Sequence, residues 1–333
     1  MQVSRRAVPR VSIITPAYNA ADSLAATIQS AQQQTVGDFE LLVVDDGSTD
    51  DTAWIVERFA SRDRRIRLLQ QANAGTAVAR NTAIRHASGS ALALLDSDDL
   101  WTPDYLEVQL RILEEHPDVD IVSANAFNFG GPMHGTPLKP ASDGLTNVSL
   151  LDLIAVEDSL CILSIFRARV VEATGGFNAS LRCNEDYDLW LRAALADCRI
   201  VFNARPCGFY RRRPDSMSAS ERRMLTGILD VLRRFRAHCL DRPVELAALD
   251  KQIAGLERRR LLAEGKAALL ERDFTAAREV FARLETCATG PLERTIARVG
   301  KTVPELLLLA YRARLGWRRS LRGGRIHVVG FCA

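Results

Sequence analysis

An α/β fold with parallel strands at its centre is the class this sequence predicts, and three observations predict it. Two short apolar runs end in clusters of acids: Leu41-Leu42-Val43-Val44 leads into Asp45-Asp46-Gly47-Ser48, and Ala91-Leu92-Ala93-Leu94-Leu95 into Asp96-Ser97-Asp98-Asp99. Apolar runs of this length read as strands buried on both faces, with their charge delivered to one edge of a sheet. Helical and strand patterns alternate along the first part of the chain, the signature of a doubly wound sheet. At 333 residues and 47% hydrophobic content, there is material for one large domain and a smaller appendage.

The elements follow in order. Val11 to Thr15 reads as a first strand stopped by Pro16, and Ala20 to Gln34 as a helix with Asp22 or Ser23 as its N-cap. Glu40 to Val44 is the second strand, and Thr49 to Ala60 a helix leaving an Asp-rich turn. Ile66 to Leu69 is a short strand, Gly75 to Ala87 a helix and Ala91 to Leu95 the central strand. A helix from Pro103 to about His116 precedes the strand Asp120 to Ala124. The Gly-, Pro- and Ser-rich stretch from Asn128 to Gly144 predicts a loop or short hairpin over the site.

Charge divides the chain. Residues 1–218 carry 21 Lys plus Arg against 28 Asp plus Glu, and residues 219–333 carry 23 against 13. The first part (1–218) reads as an acidic, metal-handling body, the second (219–333) as a basic helical extension. Seven scattered cysteines without CxxC pairs suit free thiols in a reducing cytoplasm and disfavour a zinc site. Neither the N-terminus nor any later run has the apolar length of a signal or a membrane span. The expectation is a cytoplasmic protein, soluble or peripheral at the inner face of the membrane.

In open α/β sheets ligands sit at the carboxyl edge of the strands. Several carboxylates there repel an anion unless a cation lies between them, so the expected cargo is a phosphate ester bridged by a divalent metal. Five ordered blocks sharpen this: Val11-Ser12-Ile13-Ile14-Thr15-Pro16-Ala17-Tyr18-Asn19; Val43 to Asp50; Asn73-Ala74-Gly75 with Ala79-Arg80-Asn81; Leu95-Asp96-Ser97-Asp98-Asp99; and Gly175-Gly176-Phe177 followed by Glu185-Asp186. Together, over about residues 11 to 218, they resemble a family 2 glycosyltransferase. The resemblance implies the GT-A fold, a mixed sheet flanked by helices, and an inverting, nucleotide-sugar-dependent enzyme.

Each block has a candidate role beside a plainer one. Pro16, Ala17 and Tyr18 offer main-chain groups and a ring to a flat base, or merely end a strand; in similar enzymes this loop lines the nucleotide pocket. Asp46 can accept the N3–H of uracil, while Asp45 or Asp50 caps the next helix. Asn73 and Arg80 flank a helix start facing the ribose and phosphates, with a salt bridge to the acidic clusters as the alternative for Arg80. Asp96 and Asp98 alternate at a strand end and so address one region. The resemblance makes Asp98 the ligand of Mn²⁺ or Mg²⁺, with Asp96 at the ribose or the metal's water shell and Ser97 beside the donor. Asp99 reads as a cap or a supporting acid. Asn184 reads as the cap of a helix whose first turn holds Glu185 and Asp186; the resemblance assigns Asp186 as the catalytic base, with Glu185 in reserve. Relatives often have His where Arg213 stands, and an Arg there would bind the diphosphate instead of a metal, alone or with Arg211 or Arg212 sharing the task, within a flexible basic flap from Tyr210 to Ser218.

The last third predicts helices over Met224 to Cys239 and Val244 to Leu270, and Gly265 to Phe281 resembles one tetratricopeptide-like hairpin. From 304 to 325, leucines and Trp317 mix with arginines and no acid follows Glu305, which suits an amphipathic helix on an anionic membrane, an oligomer contact or a solvated tail. No nucleic-acid-binding motif accompanies the charge. The expected partners are a nucleotide-sugar donor, a glycan or glycoconjugate acceptor as in polysaccharide biosynthesis, and a second copy of the chain. A phosphatase with Asp-x-Asp would follow its second acid with Gly and Thr or Ser, where Asp99-Leu100 stand; a nucleotidyltransferase would have Gly and Lys in its first loop, where Thr15 to Ala20 has neither. A degenerate, inactive scaffold is disfavoured by the intact Asp46, Asp96, Asp98 and Asp186.

Overall fold

A computed structural model describes residues 8–157, 159–213 and 220–323, the last ten by backbone alone. Pro214 to Ser218 of the expected flap, Arg325 and Cys332 lie outside the described residues. The chain forms two compact units, Met1–Ser220 with Asp230–Asp250, and Glu221–Leu229 with Lys251–Ala333. Residues 230–250, which charge alone assigns to the extension, therefore belong with the larger unit.

That unit opens with β1 (Val11–Ala17), α1 (Ala21–Gln32), β2 (Phe39–Asp45), α2 (Thr52–Ala60), β3 (Ile66–Gln70), α3 (Thr76–His86) and β4 (Ala91–Leu94). β1, β2, β3 and β4 pair in parallel in the order β3-β2-β1-β4. All seven residues of β1 and of β2 are buried, as expected for strands covered by helices on both faces. β1 runs through Pro16 instead of stopping there. Its ladder with β4 ends at Ile14, so no strand on that side needs the N–H that Pro16 lacks.

The chain continues through β5 (Leu100–Trp101), α4 (Tyr105–Glu115), β6 (Ile121–Phe129), β7 (Leu145–Val148), α5 (Leu150–Ala155), β8 (Ser164–Arg167), α6 (Arg169–Thr174), α7 (Glu185–Leu195) and β9 (Ile200–Arg211). The sheet is mixed, not uniformly parallel: β8 inserts antiparallel between β4 and β6, and β9 pairs parallel with β6. β5 and β7 both run antiparallel to β9. Tyr210 and Arg211, expected in a flexible flap, are the end of β9. The Gly-rich stretch turns back on β6 through a bridge between Phe127 and Pro137.

α8 (Glu221–Phe235) is followed by a single 3₁₀ turn, Arg236–Cys239, and by α9 (Pro243–Glu271), α10 (Phe274–Cys287), α11 (Pro291–Thr302) and α12 (Pro304–Gly323). The C-terminal unit closes on its own apolar cluster, which includes Leu261, Leu269, Phe281, Leu284 and Leu308. Asp273 caps α10 by accepting from the Ala276 N–H at 3.0 Å. Phe281 sits against two glycines: a Cβ at Gly265 would lie 2.6 Å from its ring and one at Gly300 2.3 Å.

Candidate active site

The chain leaves β1 first toward β2 and β3, then returns to place β4 on the other side of β1. Such a reversal opens a crevice at the carboxyl ends of the strands. A cleft of about 390 Å³ lies there. One wall is Pro16, Ala17 and the half-exposed Tyr18, beyond β1; a second is Asp46, beyond β2; a third is Asp96, Ser97 and Asp98, beyond β4. Arg211 and Arg213 close the fourth side.

Local hydrogen bonding explains why these segments hold their shape. Asp45 Oδ1 accepts from the Ser48 N–H at 3.0 Å, folding the Asp-Asp-Gly-Ser turn. Gly47 adopts φ +75, and a Cβ there would meet the Asn73 backbone nitrogen at 2.9 Å, so the turn and the Asn73 loop can touch only through glycine. Asp46 accepts from Gln71 Nε2 (2.7 Å) and from the Ala74 and Gly75 N–H groups (2.9 and 2.8 Å). A carboxylate has about four acceptor positions, so three bonds leave about one for a ligand. Asp50 holds two helix starts, accepting from the Ala21 N–H of α1 and the Thr52 N–H of α2. α1 is thereby capped from the start of its neighbour α2, by Asp50 and by Thr52 Oγ1 on the Ala20 N–H, and not by Asp22 or Ser23.

Arg80 is placed differently from its first expectation. It is 2% exposed, donates to Asp96 at 2.6 Å and to Glu185 at 2.5 Å, and is absent from the cleft wall, where its neighbours Thr76 and Ala79 stand. The salt-bridge alternative is what the structure has. Burial works against the charge of Arg80, but Asp96 and Glu185 hold the guanidinium protonated above its ordinary value. Asn81, the next residue, donates to the Phe177 carbonyl (2.7 Å) and accepts from its N–H (2.9 Å). α3 thus ties the strand-end acids to the Gly175-Gly176-Phe177 segment and the acids that follow it.

The two acids of α7 separate. Glu185 is buried and spent on Arg80, which corrects its reading as a reserve base. Asp186 beside it is part-buried, and its carboxylate accepts from the Tyr187 N–H at 2.8 Å. Burial first, then the charge of Glu185, push its carboxyl up to about 6 against the pull of Arg80. Asn184 occupies the N-cap position in the left-handed region (φ 57) but makes no capping hydrogen bond, contrary to expectation. Asp186 stands beside the cleft through the chain Asp96–Arg80–Glu185, not on its wall; Asn73 is exposed and also off the wall.

Burial and the neighbouring Asp96 also raise the Asp98 carboxyl. Arg213 Nε lies 3.8 Å from Asp98 Oδ2. Asp99, 2% exposed, accepts from the Arg211 N–H at 2.8 Å, and Arg211 Nε donates to the Asp98 carbonyl at 2.6 Å. Arg211 stacks over Phe129 and Arg212 over Tyr210. Asn19, Ser23 and Thr76 also line the cleft; the sequence places them in or beside the recognised blocks but assigns none of them to a ligand. Among the described residues, no three His, Cys, Asp or Glu side chains converge as a complete metal shell, and no helix is long and apolar enough to cross a membrane.

Comparisons with known proteins agree with this architecture. A family model described as Glycosyl transferase family 2 matches residues 12–168. The Escherichia coli protein UDP-Glc:alpha-D-GlcNAc-diphosphoundecaprenol beta-1,3-glucosyltransferase WfgD is 36% identical over 238 residues, covering 68% of this chain and 86% of that protein. Against several other curated relatives the chain spans less, from 24 to 51% of their length. Among solved structures, residues 1–349 of S. aureus TarS in complex with UDP-GlcNAc superpose with a TM-score of 0.63 at 22% identity, covering 97% of this chain and 94% of that one. The mannosyltransferase PcManGT from Pyrobaculum calidifontis, in complex with GDP-Man and Mn2+, gives 0.62 at 21% identity, over 96 and 83% of the two chains. The sheet order, the acid-lined crevice and the extent of these matches lead to one conclusion: the chain belongs to glycosyltransferase family 2.

Proposed function

We propose that this protein transfers a sugar from a nucleoside-diphosphate donor, a UDP-sugar, to a hydroxyl group of a glycan or glycoconjugate, inverting the anomeric configuration. The observation that carries the reading is the meeting of Asp46, Asp96 and Asp98 on one cleft, with the part-buried Asp186 beside it. The name of the E. coli relative specifies a UDP-glucose donor, and TarS is described with UDP-GlcNAc, which favours uridine over other bases. The remaining acceptor position of Asp46 suits the N3–H of uracil, with Tyr18 against the ring.

Asp96 and Asp98 are the residues that would hold Mn²⁺ or Mg²⁺. Two hard carboxylate oxygens, with the Asp98 carboxyl raised by burial and by the charge of Asp96, fit a cation that takes its other ligands from a diphosphate and water. A bound cation would supply charge neutralisation of the departing diphosphate. Arg213, and Arg211 beside it, add fixed positive charge on the same side of the cleft and would clamp the diphosphate oxygens. Asp186 takes the proton from the acceptor hydroxyl as its oxygen attacks the anomeric carbon opposite the leaving group. A carboxylate raised to about 6 is still ionised at neutral pH and is a stronger base than an ordinary one. Glu185 and Arg80 keep Asp186 and the Asp-x-Asp segment in register.

Thermal shift with a panel of nucleotide-sugars, with and without Mn²⁺, tests the reading. The expected outcome is stabilisation by one UDP-sugar, enhanced by Mn²⁺ in the parent chain and not in Asp98→Ala. Stabilisation by none of them, together with phosphate release from an aryl phosphate, would overturn it.

A further inference from the structure

We propose that α12 docks this protein on an anionic lipid bilayer, lying in the plane of the headgroups with its outer leucine face inserted. The run Leu306-Leu307-Leu308-Leu309 places four leucines on one turn of helix, and the apolar cluster of the C-terminal unit can take only one side of it. Leu308 is 5% exposed and Leu307 packs against the same cluster. Leu306 and Leu309 are left 57 and 62% exposed, with Val303 just before the helix at 41%. Ala310 and Ala313 are exposed as well, so the stripe recurs every three to four residues along the side away from the cluster. The helix runs to Gly323, 20 residues or about 30 Å at 1.5 Å per residue.

Charge decides what covers this face. The last acid of the chain is Glu305, which faces Arg278, and after it come Arg312, Arg314, Arg318, Arg319, Arg322 and Arg325. A second copy of the chain would bring the same arginines against these, with no acid in the segment to offset them. A polyanion such as nucleic acid would use the arginines but leave the leucine stripe in water. An anionic bilayer uses both: acyl chains receive the leucines, and the headgroup potential attracts the arginines.

The test is co-sedimentation of the full chain with large unilamellar vesicles, three parts phosphatidylcholine to one part phosphatidylglycerol, against phosphatidylcholine alone. Binding is expected only to the anionic vesicles, and to weaken strongly between about 0.1 and about 1 M salt as the Debye length falls from about 10 to about 3 Å. Leu306→Glu with Leu309→Glu should reduce partitioning at least tenfold with an unchanged melting temperature, since both side chains are exposed. Arg312→Gln should cost roughly fivefold, from about 1 kcal/mol per arginine near the surface. The Arg312 variant and the salt series keep the test decisive if the leucine pair proves to unfold. Equal binding to both vesicles, no binding at low salt, or unaltered binding by the leucine pair would overturn the proposal. So would light scattering that finds a dimer of the parent chain and a monomer of the leucine pair, which would assign the stripe to a second copy.

Discussion

Replacing Asp186 by Asn should make this protein more stable at neutral pH while removing its transfer activity. The carboxyl is held at about 6 in the folded chain against 3.8 as its ordinary value, because burial and Glu185 disfavour its charge more than Arg80 favours it. A folded state that holds a proton more tightly than the unfolded state loses stability as pH rises between the two values, here from about 4 to about 6. The difference of roughly two units corresponds to about 3 kcal/mol by pH 7, at 1.36 kcal/mol per unit. Asn is isosteric, keeps the acceptor for the Tyr187 N–H and carries no charge, so the variant avoids this loss. At about 2–4 °C per kcal/mol, its melting temperature should exceed that of the parent by roughly 6–12 °C at pH 7.5, with the gap closing toward pH 4. In parallel, kcat/KM of the parent should rise through an apparent pKa near 6 to a plateau, and the variant should lose about 10²–10⁴ of it while still binding nucleotide. Differential scanning fluorimetry at several pH values and steady-state kinetics read both. A gap in melting temperature that is independent of pH, or of the opposite sign, would refute the electrostatic account; transfer by the variant at the parent rate would refute the assignment of the base.

Two further substitutions probe the interior. Arg80→Met leaves Glu185 and Asp96 facing each other without their shared cation and should cost about 3–5 kcal/mol in urea denaturation, with transfer lost alongside. Gly300→Ala forces a Cβ to within 2.3 Å of the Phe281 ring and should destabilise the C-terminal unit by about 1–3 kcal/mol; a double-mutant cycle with Phe281→Leu should recover part of that loss, and strict additivity would show that the two positions do not press on one another.

The strand ends were legible in the sequence because burial and charge alternate sharply there. Leu41 to Val44 and Ala91 to Leu95 can be little else than covered strands, and the acids that follow must then share one sheet edge. Roles that depend on distant partners were not legible. Arg80 lies 16 residues from Asp96 and 105 from Glu185, and nothing in its own segment distinguishes a phosphate-facing arginine from a buried counter-ion. Asn184 has the sequence of a cap, yet the chain enters α7 through a left-handed residue whose side chain makes no capping bond. α1 is capped by Asp50 and Thr52, some 30 residues away. β8 is four residues long and pairs antiparallel between strands that precede it, so no local period announces it.

By itself the sequence determined which stretches are buried strands, where the acids fall and that the last helix is both leucine-rich and basic, because these follow from local pattern. Only the tertiary structure decided which acids face the cleft and which are consumed inside. It closed the crevice between β1 and β4, gave Glu185 to Arg80 and left Asp186 with a raised carboxyl beside the cleft, since desolvation and pairwise charge are properties of neighbours in space, not in sequence.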